Sequence, residues 1–128
     1  MNSATVLEVT PIDSRMRPAR SETPALERLS AHPYSDLLIH HMGNRLADDI
    51  TQGHATGDMF RTTPLWGVGQ RLFFLHDGRT ADLLDVINDH FSRASESYPA
   101  SEANEVVENF RRLSVQEQQS LLDFLRSL

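Results

Sequence analysis

Leu83, Leu84, Ile87, His90 and Phe91 recur at spacings of three and four, so His90 shares an inward helical face with Leu83 and Ile87. An inward imidazole has two uses: it can lend a nitrogen lone pair to an iron centre, or it can donate to a backbone carbonyl as an ordinary core histidine. Met42 is the runner-up as a ligand and Met59 a distant third, because a thioether can bind iron while most methionines only fill gaps in cores. His40 and His41 are adjacent, so in a strand or a helix at most one of them faces inward. The six histidines do not suggest a zinc site, since no pair has the helical spacing of a zincin motif.

His76-Asp77-Gly78-Arg79 is the second chemically suggestive stretch. A histidine-aspartate pair can hold the metal of a phosphohydrolase, but that chemistry needs further His and Asp ligands on flanking helices, and a Gly-Arg turn is the wrong continuation. The structural reading is better: Asp77 closes a turn, Gly78 permits positive φ and Arg79 packs or pairs beside it. Neither a Gly-x-Ser-x-Gly elbow nor a phosphate-binding glycine loop is present.

The elements that must position these groups centre on residues 60 to 79, FRTTPLWGVGQRLFFLHDGR, which hold the only tryptophan and are broken by Pro64, Gly67 and Gly69. Irregular backbone of this kind in a small core is expected to wrap something or to carry a site. Residues 1 to 24, with Pro11, Pro18 and Pro24, read as an extended or disordered arm, and residues 25 to 29 as one helical turn ended before Pro33. Residues 34 to 42 fit either a short extended segment or two helical turns, and residues 48 to 58 a polar surface loop. A helix is expected from Thr80, with Thr80 as cap and Asp82 in its first turn. Asp82, Asp85 and Asp89 would lie on its solvent face. A second helix starts at Ser101 and shares Ala103, Val106, Val107, Phe110 and Leu113 on one face. Ser114-Val115-Gln116-Glu117 fits a capping box, and the helix after it is expected to bury Leu121, Leu122, Phe124, Leu125 and Leu128.

The 128 residues, 39% apolar and 23% charged, suit one globular domain and no second core of any size. A net charge of -6 argues against nucleic-acid binding. No apolar run reaches membrane-span length, and the start of the chain shows neither the basic residues nor the apolar segment of a secretory signal. There is no cysteine. That excludes disulfides, thiolate catalysis and the Cys-x-x-Cys-His attachment of c-type haem within this sequence.

Four stretches carry a family resemblance: YSDLLIHHMGNRLAD at 34 to 48, FRTTPLWG at 60 to 67, FFLHDGRTADLLDVINDH at 73 to 90, and the ending SEANEVVENF...LLDFLRSL. In order and spacing they resemble the bacterial di-haem c-type cytochromes, of the cytochrome c peroxidase-like and di-haem thiol oxidoreductase-like group, over roughly 95 residues. The match is to the C-terminal part of that family's second cytochrome domain. The resemblance implies a mainly α, partial cytochrome c-like domain over residues 25 to 128, with irregular loops and three C-terminal helices. It further implies periplasmic electron transfer through haem, with peroxide reduction or a related oxidation in whole relatives.

The family's distal axial ligand falls fourteen residues past the histidine of the HDG-like turn, which here is His90. By the same resemblance Arg61, Pro64, Trp66 and Phe74 line the haem edge together with the turn that holds Arg79, with Arg61, Arg71 or Arg79 pairing with propionates, and Met42 stays the runner-up thioether ligand. The family's cofactor is haem c, none of it covalently held in this chain. The expected partner is then the missing N-terminal haem-bearing portion or an electron-transfer protein, and the chain by itself is expected to be an inactive fragment. The alternative is a haem-free interaction or scaffold domain derived from the family. Without haem, the void between the pocket walls is expected to lower stability by several kcal/mol.

Overall fold

The computed structural model describes residues 32–128. The expected arm at 1 to 24 and the helical turn at 25 to 29 lie outside the described residues. From there the element order is β1 (Ile39–His41), β2 (Met59–Arg61), a 3-10 turn (Val68–Gln70), α1 (Leu83–Asp89), α2 (Asn104–Arg112) and α3 (Val115–Ser127). Three C-terminal helices follow an irregular first half, as the resemblance implies. Loops nevertheless outweigh helix, so the expectation of a mainly α chain holds only loosely.

Within the segment that periodicity left open, Ile39–His41 form a strand and no helix is present. β1 and β2 pair antiparallel, with Ile39 opposite Arg61, His40 opposite Phe60 and His41 opposite Met59. The ladder is prolonged by the Met42 amide, which donates to the Asp58 carbonyl at 2.8 Å, and by the Thr62 amide, which donates to Leu38 at 2.9 Å. A two-stranded ribbon this short is not stable alone. Its support comes from the far end of the chain, where Glu102 donates its amide to the His41 carbonyl at 2.9 Å.

α1 starts later than the sequence suggests. Asp82, not Thr80, is the N-cap, its carboxylate accepting from the Leu84 amide at 2.7 Å. Thr80 instead uses its carbonyl to accept from the Phe74 amide at 2.8 Å, closing the loop that contains the His76-to-Arg79 turn. Gly78 in that turn has φ 69, which a side chain would resist. Asp89 is not simply solvated either, because Arg45 forms an ion pair with it.

α2 has no side-chain cap, and its approach is fixed by Asn104, whose amide group both accepts from and donates to the Ser92 backbone at 2.9 Å. Val107 and Phe110 are buried from this helix, whereas Val106 is 69% exposed. Arg111 reaches α1, bonding Asn88 at 2.9 Å and lying over the Phe91 ring at 4.7 Å from its centroid.

α3 opens with the expected capping box: the Ser114 hydroxyl accepts from the Glu117 amide and the Glu117 carboxylate accepts from the Ser114 amide. Its apolar face is narrower than spacing implies. Leu122 is buried and Leu125 packs beside it, but Leu121 and Phe124 are largely exposed. α3 packs most closely against the 3-10 turn. There Gly69 comes so close to the Arg126 carbonyl that a Cβ would sit 2.1 Å from its oxygen. Phe74, Leu83 and Leu122 form the resulting core, with Val68, Val86, Ile87 and Leu125 against it.

Candidate functional site

A cavity of about 590 Å³ lies between the β ribbon, the irregular segment, α1 and the start of α2. That volume is within the roughly 300–1,000 Å³ usual for small-molecule sites. Its walls are mostly apolar: Met42, Leu46, Phe60, Leu65, Phe74 and Val86 are among them. Pro64 and the two threonines before it supply one side.

His90 caps α1 at its C-terminal end and lines this cavity, half-buried. Its Nδ1 lies 2.7 Å from the Val86 carbonyl oxygen. A carbonyl can only accept, so Nδ1 carries the proton, and in the neutral ring Nε2 keeps its lone pair. Nε2 has no hydrogen-bond partner among the described residues. Donation of one ring nitrogen to a backbone carbonyl is the arrangement that orients a metal-binding imidazole. It is also that of a plain core histidine, so both sequence readings of His90 meet in one geometry.

Of the other residues singled out from sequence, Met42, Arg61, Pro64 and Phe74 line the same cavity, as do Arg71 and His76. His76 lies against Phe60 with ring centroids 4.6 Å apart. It is presented there by Leu75, whose φ of 67 costs a leucine about 1–2 kcal/mol. Neither Arg61 nor Arg71 has an ion-pair partner among the described residues.

Trp66 and Arg79 lie elsewhere. Trp66 is 54% exposed and its indole N–H donates to the His32 carbonyl at 2.9 Å, on the side where Tyr34 meets Phe124 edge-on. Arg79 is held by Asp77 at 2.6 Å and donates to the Arg45 carbonyl at 2.9 Å. Burial alone would raise the Asp77 carboxyl, but the Arg79 side chain and amide together hold it below its usual range.

Two histidine clusters escape sequence reasoning. Asp58, expected in a polar surface loop, is fully buried; it accepts from the Thr56 hydroxyl at 2.7 Å and from His41 Nδ1 at 2.9 Å. Burial alone would raise its pKa, but those two hydrogen bonds together hold it below the ordinary value. His40 lies between two carboxylates, 2.7 Å from Glu102 and 2.8 Å from Asp36. Chiefly the Glu102 bond, then Asp36, raises the His40 pKa against the effect of burial. With both nitrogens donating, His40 has no lone pair for a metal. Glu102 is 62 residues from His40, and nothing local in the sequence links them.

The residues therefore suit an apolar-bodied, acid-bearing ligand such as haem: an apolar cleft, the His90 imidazole with an open Nε2, the His76 imidazole with no hydrogen bond among the described residues, and two guanidiniums on the lining. They do not suit thioether attachment, for which this sequence holds no cysteine. Among the described residues no group of three or more His, Asp or Glu side chains is arranged to hold a bare metal ion. No helix among them is long and apolar enough to cross a membrane.

No curated protein and no solved structure matches the chain. A family model described as "Di-haem oxidoreductase, putative peroxidase" matches residues 15–128. That span takes in the cavity and every element around it, and the chain belongs to the di-haem oxidoreductase family.

Proposed function

We propose that this chain is the haem-contacting C-terminal region of a periplasmic di-haem oxidoreductase, and that it works in electron transfer only together with a haem-bearing partner segment. The observation that carries the reading is His90, fixed by the Val86 carbonyl at the wall of an apolar cavity with Nε2 left open. Haem, when bound, supplies the redox chemistry. The chain's own residues do the rest. His90 Nε2 would hold the iron, with the ring oriented by its Nδ1–H bond to the Val86 carbonyl. Met42 is the other candidate ligand on the lining. Arg61 and Arg71 would meet the propionate carboxylates, and Phe60, Pro64 and Phe74 would exclude water from the ring faces.

The test is a titration of the purified chain with ferric protoporphyrin IX, followed by the Soret band. Binding is expected in the wild type and in His41→Ala, whose imidazole is turned to Asp58, and is expected to be lost in His90→Ala. Equal spectra for the two variants would refute the assignment of His90. A second reading, a haem-free interaction domain derived from the family, is favoured by the exposure of Leu72 (77%) and Phe73 (67%). Absence of any Soret change in the wild type, with the fold intact, would select it.

A further inference from the structure

His76 has no part in the haem-contact reading, yet the turn that carries it is held from several sides. Its neighbour Leu75 has φ 67, a left-handed conformation that a leucine keeps only where its surroundings impose it. Here the Phe74 amide donates to the Thr80 carbonyl at 2.8 Å, and the Gly78 amide to the Leu75 carbonyl at 3.3 Å. Arg79 locks the tip, pairing with Asp77 at 2.6 Å and donating to the Arg45 carbonyl at 2.9 Å. The turn delivers an exposed imidazole to the lining of the cavity. Its ring lies against Phe60, with centroids 4.6 Å apart and 31° between the planes, and neither nitrogen is bonded to a described residue.

Two guanidiniums share that lining. Arg61 ends β2 and Arg71 follows the 3-10 turn; both are exposed, and neither side chain has a hydrogen-bond or ion-pair partner among the described residues. The one carboxylate on the lining is Glu102, whose two oxygens are taken by His40 at 2.7 Å and by the His41 amide at 3.2 Å. A chain of net charge -6 therefore presents a cavity whose unpaired lining charges are cationic. An imidazole has at least one N–H to donate and a guanidinium has several, and a carboxylate accepts from both.

We propose that His76, with Arg61 and Arg71, forms an acid-recognising rim by which the cavity takes apolar-bodied carboxylates, the acid group at the rim and the apolar body against the walls. Haem propionates are one instance. The inference goes beyond the haem-contact reading, since recognition of the acid needs neither iron nor His90. Arg79 acts here as a positioning residue, holding the turn while standing off the lining. The plain alternative is that His76 only covers Phe60, a task that phenylalanine would do as well.

The experiment titrates the full chain at neutral pH with pyrenebutyrate and with pyrenebutanol, followed by pyrene fluorescence. The probes share an apolar body and differ in the acid. The wild type should bind the acid about tenfold more tightly, the effect of partly exposed charge-assisted hydrogen bonds. The overall negative charge works against such a preference, so it reports the rim and not the bulk field. His76→Phe should leave the alcohol affinity unchanged and cut the preference about threefold, the effect of one modest hydrogen bond. His76→Gln, which keeps a side-chain N–H, should retain most of the preference. Arg61→Gln and Arg71→Gln should reduce it, and so should Arg79→Gln, through the loosened turn. Equal affinities for acid and alcohol in the wild type, or no binding of either, overturn the rim. A preference that survives His76→Phe intact overturns the place of His76 in it. Pyrenebutyrate binding with the expected preference, in a chain that gives no Soret change with ferric protoporphyrin IX, upholds the rim and overturns the haem-contact reading alone.

Discussion

Replacing Asp58 with alanine removes the one fully buried side chain of the ribbon loop and both of its hydrogen bonds. A hydrogen bond to a charged group contributes about 1.5–3 kcal/mol. The Thr56 hydroxyl bond, at 2.7 Å, should count near that range. The His41 bond should count less, because its side chain is 33% exposed and water can replace the lost partner. Release of the buried carboxylate from its desolvation offsets part of the remainder. The net expectation is a loss of about 2–3 kcal/mol at neutral pH, read from urea unfolding midpoints at unchanged slope. Since the folded-state pKa of Asp58 lies below the ordinary 3.8, its contribution is present above that value. The difference between wild type and Asp58→Ala should therefore close as pH falls through the depressed value. A difference at pH 7 under about 0.5 kcal/mol, the size of an ordinary surface substitution, would refute this account of the loop.

Two further substitutions probe how the helices are fixed. Ser114→Ala should cost about 1 kcal/mol, measured by thermal unfolding, because it removes the α3 cap but leaves the helix face untouched; an unchanged midpoint would show that the capping box is idle. Gly69→Ala should cost about 1–3 kcal/mol, since its Cβ would overlap the Arg126 carbonyl and α3 must shift to admit it. Amide shifts at the end of α3 report that movement, and their constancy would refute the close contact.

Local features were legible from the chain alone. The capping box needs only residues 114 to 117, the turn at Asp77-Gly78 only its own tetrapeptide, and the helical period through Leu83, Ile87 and His90 only one turn's spacing. Family membership was equally legible, because motifs such as FRTTPLWG and LHDGR keep their order along the chain. What depends on distant partners was not. Ile39–His41 became a strand because Met59–Arg61 lie beside them, a pairing that periodicity within one segment does not contain. Asp58 looked like a surface residue until His41 and Thr56 supplied the bonds that make burial tolerable.

Trp66 shows the opposite case: the family resemblance implied a place beside the haem, whereas its N–H donates to the His32 carbonyl and its ring is 54% exposed. Leu121 and Phe124 have core spacing but stay partly exposed, Phe124 with only the edge-on Tyr34 ring recorded against its own. Spacing along the chain determines which groups share a face. Whether that face is dry, charged or open depends on atoms tens of residues away, and for His40 the deciding carboxylate comes 62 positions later.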